Sequence, residues 1–367
     1  MKICFLGLDN LPVLAPEFGH HVIGGEQVQQ TLLAKAMAKR GLDVNMVVFD
    51  YGQEDGQAWE AITTHRAYGA HSGLPVLRFI HPRWSKMWSA MRRANADVYY
   101  VSCAGMQLGV VALFCRLHGR RFVFRVAHDS DCEPDQLLIK FWRDKKLYEY
   151  GLRRADCILV QTPNQQTRLA KNYGQSARIA EMLVDRPRGE LPRTTDILWV
   201  NNIRQFKRPD LFLALARSMP SCRFRMIGGT QPGSEALYDA IAKEAETIPN
   251  LEFLGRVSYH DMDQHYASAK VFVNTSDSEG FPNSYLQSWI RGTPVVAFFD
   301  PNGVLQHERL GAAVKSLDAM RMQLSILLGD AAVWTGASDR CRAFMQRQYG
   351  EERILAPYLT MLREIAP

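Results

Sequence analysis

The chain contains the stretch Val271-Phe-Val-Asn-Thr-Ser-Asp-Ser-Glu-Gly-Phe-Pro-Asn-Ser-Tyr-Leu-Gln287, in which a short apolar run passes into polar residues and then into a helical pattern. This order predicts a strand, a turn and a helix, and the following run Gly292-Thr-Pro-Val-Val296 predicts another strand. A strand, a helix and a further strand form the repeating unit of a parallel sheet covered by helices. The stretch therefore indicates an α/β fold.

The same alternation extends in both directions from this stretch. Predicted strands of the first half are 2–6, 43–49, 98–102, 122–125 and 157–161, with helices that include 27–40 and 136–154. Predicted strands of the second half are 197–200, 223–227, 251–254, 271–274 and 294–297. Two consecutive series of this kind predict two Rossmann-like domains.

The run from Asp185 to Arg193 contains two prolines and a glycine, which interrupt both helical and strand periodicity. We therefore predict an N-terminal domain over residues 1–185, a linker over 186–194, a C-terminal domain over 195–346 and a helical segment over 347–367. Two such domains facing each other would form a cleft at the carboxyl ends of their strands.

Composition excludes several classes of protein. The 367 residues are 47% hydrophobic and 22% charged, which is typical of soluble globular domains. Seven scattered cysteines without a CxxC pair favour a reducing, cytoplasmic location, and the start of the chain does not have the pattern of a signal peptide. The net charge of +6 is too small to predict nucleic-acid binding.

A glycine pair precedes the first long helix. The dinucleotide fingerprint GxGxxG does not follow the first strand, which argues against a dehydrogenase. Gly24 and Gly25 could instead present backbone amides to a phosphate or sugar, or simply form a flexible turn.

The turn within the opening stretch carries the main candidate site. Glu279 follows the predicted strand, where it could bind a sugar hydroxyl, and Gly280 permits close approach of a ligand. The backbone amides that follow could bind a diphosphate. The predicted ligand-binding residues of this segment are Gly280, Phe281, Pro282, Asn283 and Ser284.

With these motifs the chain resembles the retaining glycosyltransferases of GT-B fold, the group 1 or GT4-like family, whose hallmark is Glu-x7-Glu before a Gly-x-Pro-Val-Val-like strand. Glu279 matches the first acid, and Gln287 stands where the family has the second. In the family the second acid binds the ribose hydroxyls, and a glutamine carbonyl can also accept such hydrogen bonds. The resemblance implies transfer from a UDP- or GDP-sugar with retention of configuration.

Further assignments follow from the resemblance. Arg204 and Lys207 match the family's Arg-x-x-Lys diphosphate clamp, with Arg208 expected to be a surface charge. Gly228 is expected to give room to the donor, and the backbone near Arg256 and Val257 to contact the base. Because the clamp supplies positive charge, no metal or other cofactor is expected, and the DxD sequence of Asp129-Ser-Asp131 is discounted as a metal site.

Two features of the first half suggest substrate contacts. His128 directly follows a predicted buried strand, where it could bind the sugar or orient the acceptor, or be structural. Farther upstream, a helical pattern places Trp84, Met87, Trp88 and Met91 on one face. This face could lie on a membrane, at the cytoplasmic side, or pack against the protein's own sheet.

The predicted acceptor is a hydroxyl group in a polysaccharide, lipid-linked glycan or other glycoconjugate. Two alternatives stay open: a nucleotide-sugar epimerase of the same fold, and a non-catalytic carbohydrate-binding relative, the latter because Gln287 replaces an acid. By resemblance, the C-terminal helix is expected to return to the first domain.

Overall fold

The computed structural model of the chain describes residues 1–366 apart from 20, 22, 76, 232 and 278–280. It divides into two compact units. Unit 1 comprises Met1–Leu183 together with Glu351–Pro367, and unit 2 comprises Val184–Gly350. Each unit contains its own sheet of mainly parallel strands with helices between them, so the predicted α/β class is confirmed.

Unit 1 has its strands in the order β3-β4-β2-β1-β5-β6-β7-β8, all parallel except for the short pairing of β3 with β4. The strands are β1 (Lys2–Leu6), β2 (Asp43–Val48), β3 (Ala58–Trp59), β4 (Ile62–Arg66), β5 (Val98–Ser102), β6 (Arg121–Arg125), β7 (Cys157–Val160) and β8 (Arg178–Ile179). The central strands are buried almost throughout, because helices cover both faces of a parallel sheet.

The helices that connect these strands are α1 (Leu11–Leu14), α2 (Gly25–Lys39), α3 (Ser85–Ala94), α4 (Met106–His118), α5 (Trp142–Leu152) and α6 (Pro163–Tyr173). Local sequence sets their ends. Thr162 caps α6 by accepting a hydrogen bond from Gln165 N (3.2 Å). Helices α4 and α6 end at Gly119 and Gly174, whose φ angles of 63° and 65° favour glycine.

Unit 2 has its strands in the order β11-β10-β9-β12-β13-β14, and every pairing is parallel. The strands are β9 (Thr195–Val200), β10 (Phe224–Ile227), β11 (Leu251–Phe253), β12 (Ala269–Asn274), β13 (Val295–Ala297) and β14 (Gly311–Ala313). The helices are α7 (Pro209–Ser218), α8 (Glu235–Ala245), α9 (Met262–Ala267), α10 (Asn283–Trp289), α11 (Val304–His307), α12 (Leu317–Gly329) and α13 (Ala331–Gln348). Trp199 and Trp289 are fully buried in this unit.

The last helix, α14 (Glu351–Ile365), belongs to unit 1. Arg40 forms ion pairs with Glu351 (2.7 Å) and with Glu352, and Arg353 pairs with Glu181 (2.6 Å). The apolar face of α14 is buried. A buried apolar face and the ion pairs beside it thus hold α14 against the rest of unit 1.

The segment 186–194, predicted as a linker, forms no regular secondary structure and is grouped with unit 2. The Arg193 guanidinium donates to Ala269 O (2.6 Å) and to Thr293 Oγ1 (2.8 Å). Burial lowers the pKa of Arg193 to about 10. The end of this segment is therefore fixed to the unit 2 sheet.

The predicted start of one helix was wrong, and strands β3, β4, β8 and β14 were not predicted. The helix expected over 136–154 begins only at Trp142; the residues before it include Leu138, which is exposed and gives a helix no buried face. Strand β4 was missed because its Thr and His residues do not resemble a buried strand. These polar side chains can be buried because His65 Nε2 forms a hydrogen bond with Asn45 Oδ1 (2.8 Å) and Thr64 Oγ1 donates to Gln57 O (2.9 Å).

Of the two alternatives for the apolar face of α3, the structure supports packing against the protein's own sheet. Met87 and Met91 lie in the core of unit 1, and Trp84 and Trp88 pack against that core. The apolar face of α3 therefore packs against its own sheet and cannot at the same time lie on lipid. Within the described residues, no helix combines the length and apolar character needed to cross a bilayer.

Candidate functional site

The carboxyl ends of the parallel strands of unit 2 lie at one edge of the sheet. Main-chain hydrogen bonds join the loops that follow β9, β10 and β11. Ile203 N donates to Gly229 O (3.0 Å), and Gly228 N donates to Gly255 O (2.8 Å). Since open α/β sheets bind ligands beyond the carboxyl ends of their strands, this edge is the candidate site of unit 2.

The loop after β12 is fastened to the loop after β9. Thr275 Oγ1 donates to Lys207 O (2.8 Å) and accepts from the buried Trp199 Nε1 (2.9 Å). Asp277 N donates to Phe206 O (2.9 Å). The loop after β9 and the start of the loop after β12 therefore lie side by side.

Two cations follow β9 at this edge. Arg204 is exposed, and its Nη2 donates to Gln231 Oε1 (3.1 Å). Lys207 is half-buried, with Nζ 5.0 Å from the ring centroid of Phe206. Cations fixed by neighbouring groups attract an anion without much reorganisation, so this loop is chemically suited to phosphate.

Arg208 differs from these two cations because carboxylates already bind it. Its Nη2 lies 2.9 Å from Asp210 Oδ2, and its Nη1 lies 3.5 Å from Asp277 Oδ1. The pKa of Arg208 is raised by its hydrogen bond to Asp210. Its charge is thus largely compensated within the protein.

Gly228, Arg256 and Val257 lie in the loops next to the cations. A Cβ atom at Gly228 would lie 2.0 Å from Asn201 O, so the packing of two loops requires glycine here whether or not a ligand binds. Arg256 is exposed and donates from Nη2 to Thr230 O (3.0 Å), and Val257 is half-buried. Arg256 adds a further positive charge to the edge.

The structure describes only part of the segment 271–287, which contains the main candidate site. Glu279 and Gly280 lie outside the described residues, so their predicted roles are untested. The other members are Phe281, which is half-buried, Pro282, which is buried, and Asn283 and Ser284, half-buried residues that begin α10. The stretch therefore leads from the carboxyl end of β12 into a helix.

Gln287 belongs to a partly buried hydrogen-bond network. Its Oε1 accepts from Arg291 Nη1 (2.8 Å), and the nearly buried Arg291 donates from Nε to Asp263 Oδ1 (2.7 Å). Arg291 is therefore charge-paired with Asp263, and a neutral Gln287 completes its hydrogen bonds. The amide Nε2 of Gln287 is the group that can donate to a ligand.

In unit 1, His128 follows β6 and is exposed. Ser130 N donates to its Nδ1 (3.1 Å), and Ser130 Oγ lies 2.9 Å from the same atom. Because Nδ1 accepts a main-chain hydrogen bond, the neutral ring carries its proton on Nε2. His128 thus presents an N–H donor at the carboxyl edge of this sheet.

The two carboxylates of the DxD sequence are occupied by protein groups. Asp131 is buried and accepts from Ala127 N (3.0 Å) and His128 N (3.1 Å) through Oδ2. Burial raises the pKa of Asp131. Asp129 Oδ1 accepts from Gln165 Nε2 (2.9 Å). These contacts give both residues a structural role in the turn around His128.

The Gly24-Gly25 pair stands at the start of α2, where Gly24 N donates to Gln27 Oε1 (3.0 Å). The next residue, Glu26, forms an ion pair with the buried Arg125 at the end of β6 (3.3 Å). Burial alone disfavours the charged guanidinium, but the Glu26 carboxylate more than offsets this and the pKa of Arg125 lies above its ordinary value. The glycine pair is thereby held beside β6.

This ion pair was not predicted from the sequence. A charged residue within the apolar run of β6 signals a buried partner, so Arg125 was detectable. No local pattern identifies Glu26 as that partner, because the two residues are far apart in the chain.

Residues 194–330 match the family model described as glycosyl transferases group 1, and residues 24–182 match that of the glycosyl transferase 4-like domain. Together the two ranges span most of the chain. The chain belongs to the group 1 glycosyltransferases. The resemblance inferred from its motifs is confirmed at the level of the family.

Individual relatives of this glycosyltransferase agree with the family models. A curated protein from Haemophilus influenzae, named an uncharacterized glycosyltransferase, is 23% identical over 237 residues, which are 62% of this chain and 61% of that protein. This chain thus spans about three fifths of that relative's length.

Solved structures share the fold. Sucrose-phosphate synthase from Thermosynechococcus elongatus has a TM-score of 0.76 at 17% identity, covering 99% of this chain and 98% of the other. HepE from Anabaena, in complex with UDP and glucose, has a TM-score of 0.72 at 14% identity, covering 99% of this chain and 100% of the other. These matches confirm the GT-B fold. The binding roles of the individual residues stay predictions.

Proposed function

We propose that this glycosyltransferase transfers a sugar from a UDP- or GDP-sugar to a hydroxyl group of a glycan or lipid-linked glycan, with retention of the anomeric configuration. The carrying observation is the pair of cations, Arg204 and Lys207, at the carboxyl edge of the unit 2 sheet. HepE, which has the same fold, was solved with UDP and glucose, which makes a UDP-sugar the first donor to test.

In the proposed reaction the bond between the sugar C1 and the diphosphate oxygen breaks, and negative charge develops on the leaving diphosphate. Arg204 and Lys207 stabilise that charge, with Arg256 nearby. The acceptor oxygen bonds to C1 from the face that the diphosphate leaves, and the acceptor proton passes to the departing phosphate. We assign Glu279 to positioning the sugar.

No divalent cation is required in this proposal. The diphosphate is neutralised by side chains of unit 2, and both carboxylates of Asp129 and Asp131 accept hydrogen bonds from the protein. Transfer is therefore expected to proceed at an unchanged rate when EDTA is added. A rate that falls with EDTA and returns with Mg²⁺ or Mn²⁺ would contradict this part of the proposal.

His128 is proposed to donate a hydrogen bond from Nε2 to the sugar or the acceptor. Replacing it with alanine removes the donor, and kcat is expected to fall about tenfold or more while the affinity for nucleotide is kept. Steady-state kinetics and nucleotide titration measure the two effects. The exposed His71 of the same unit provides the matched control, and His71→Ala should leave both unchanged. Equal kcat values for the two variants would rule out the role of His128.

Gln287 is proposed to contact the ribose through its amide. A ribose hydroxyl both donates and accepts, so Gln287→Glu should keep donor affinity within about threefold, whereas Gln287→Leu should lower it about tenfold. Both variants leave Arg291 paired with Asp263. Calorimetric titration with the nucleotide sugar measures the change. Wild-type affinity in the leucine variant would exclude a contact with the donor.

The function is tested by incubating the protein with UDP- and GDP-sugars, with and without glycan acceptors, and determining the anomeric configuration of the product by NMR. The proposal expects turnover only with an acceptor, and a retained configuration. Conversion of a nucleotide sugar without acceptor would indicate an epimerase. Donor binding without turnover in the presence of a validated acceptor would indicate a non-catalytic relative.

A further inference from the structure

Two loops of unit 1 leave the carboxyl edge of its sheet and lead into helices on the same face. Residues 67–84 connect β4 to α3, and residues 126–141 connect β6 to α5. Helices α3, α4 and α5 pack in sequence on this face. The starts of α3 and α5 therefore lie at the edge that also carries His128 and the start of α2.

These loops expose large apolar side chains. Their exposed fractions range from 55% for Phe141 to 81% for Leu138. Side chains of this size are normally buried, and a group of them marks an interaction surface. The members of this apolar patch are Leu74, Leu77, Ile80, Leu138, Phe141 and Trp142.

The two loops form one continuous surface. The guanidinium carbon of Arg143 lies 4.0 Å from the ring centroid of Phe79 and 5.3 Å from that of Phe141. Phe79 in turn packs edge-on against Trp84 (6.0 Å between centroids), and Trp84 packs on the core of unit 1. Phe79 and Trp84 thus connect the apolar patch to the core of unit 1.

The charge around the apolar patch is positive on balance. Residues 74–86 contain three Lys or Arg residues and no acid, and residues 135–147 contain four Lys or Arg residues and two acids, Asp135 and Asp144. Arg78, Lys86, Lys140 and Lys146 are exposed. Arg143 pairs with Asp144 (3.1 Å). Lys146 pairs with Glu149 of the same helix (3.0 Å), whereas Arg78, Lys86 and Lys140 form no ion pair with another described residue.

We propose that the apolar patch and its basic rim seat unit 1 on an anionic lipid surface. Apolar side chains enter the boundary between head groups and acyl chains, while Lys and Arg residues attract anionic head groups. A second copy of the chain would bring two positive surfaces together, which like-charge repulsion opposes. Resting on the proposed function, this seating presents membrane-bound acceptors to the sheet edge that carries His128.

Flotation with vesicles tests the proposal. Wild-type protein should float with vesicles of phosphatidylcholine and phosphatidylglycerol, and much less with phosphatidylcholine alone or at high salt. The Leu138→Ser/Trp142→Ser double variant and the Lys86→Glu/Lys140→Glu double variant should each bind about tenfold more weakly. Leu117→Ser is the matched control, because Leu117 is an exposed leucine at the end of α4, at the opposite edge of the sheet; it should bind like wild type.

Equal vesicle binding by the Leu138/Trp142 variant and by the control would overturn the proposal, as would failure of the folded wild type to bind anionic vesicles. A wild-type dimer that these substitutions convert to a monomer, without vesicle binding, would assign the surface to a second copy. Nucleotide titration and transfer to a soluble acceptor, expected unchanged in all three variants, show separately whether the proposed function holds.

Discussion

Replacing Arg204 with alanine is expected to lower kcat/KM for sugar transfer about a hundredfold, and replacing both Arg204 and Lys207 is expected to lower it about a thousandfold. The reason is that charge on the leaving diphosphate is greatest in the transition state, and both cations are already in place at the end of β9. Steady-state kinetics with saturating acceptor measure the loss.

Arg208→Ala is the matched control for these variants. Arg208 follows Lys207 directly, but Asp210 and Asp277 already bind its guanidinium, so kcat/KM should change by less than about threefold. Thermal unfolding of all variants shows whether they are folded. If Arg208→Ala lowered kcat/KM as much as Arg204→Ala does, the loop would act through its overall positive charge. Arg204 and Lys207 would then not form a specific diphosphate clamp.

Glu26→Gln is expected to lower the free energy of unfolding by about 3 kcal/mol. The change removes the carboxylate that faces Arg125, whose side chain is only 2% exposed, and leaves a buried charge without its counter-ion. Urea unfolding of the full-length protein, followed by circular dichroism, measures the loss. The effect should be large because restoring hydration to Arg125 requires opening the carboxyl edge of unit 1.

Two variants distinguish this explanation from general damage to α2. Glu60→Gln breaks a more exposed ion pair with Lys35 of the same helix and should cost less than about 1 kcal/mol. The double change Glu26→Leu with Arg125→Met removes both charges and should recover most of the stability. A double variant as unstable as Glu26→Gln would show that the charge of Arg125 is not the cause.

The sequence predicted the fold because strand and helix patterns alternate with few interruptions. Strands β1 and β5 have the predicted bounds, and most other central strands agree within one or two residues. Strand β4 was missed because Thr64 and His65 are polar, and only their partners Gln57 and Asn45 make them suitable for a buried position. Such compensation depends on tertiary contacts.

The location of the candidate site could be predicted because its residues directly follow predicted strands in the sequence. Arg204 and Lys207 follow a strand directly, so a parallel sheet places them at its carboxyl edge. Amphipathic character, by contrast, does not reveal what covers a helix: Met87 and Met91 proved to be core residues. The helix predicted over 136–154 likewise gave no indication that Leu138 and Trp142 would be exposed, because exposure depends on what packs against a segment.

The most direct test of the account is calorimetric titration of the purified protein with UDP, GDP and their sugars in the presence of EDTA, beside the Arg204→Ala and Arg208→Ala variants. The account predicts that one nucleotide binds without metal, that Arg204→Ala loses this binding and that Arg208→Ala retains it. Folded wild-type protein that binds none of these nucleotides, or binding that Arg204→Ala leaves unchanged, would contradict the claim that this edge of unit 2 holds the donor.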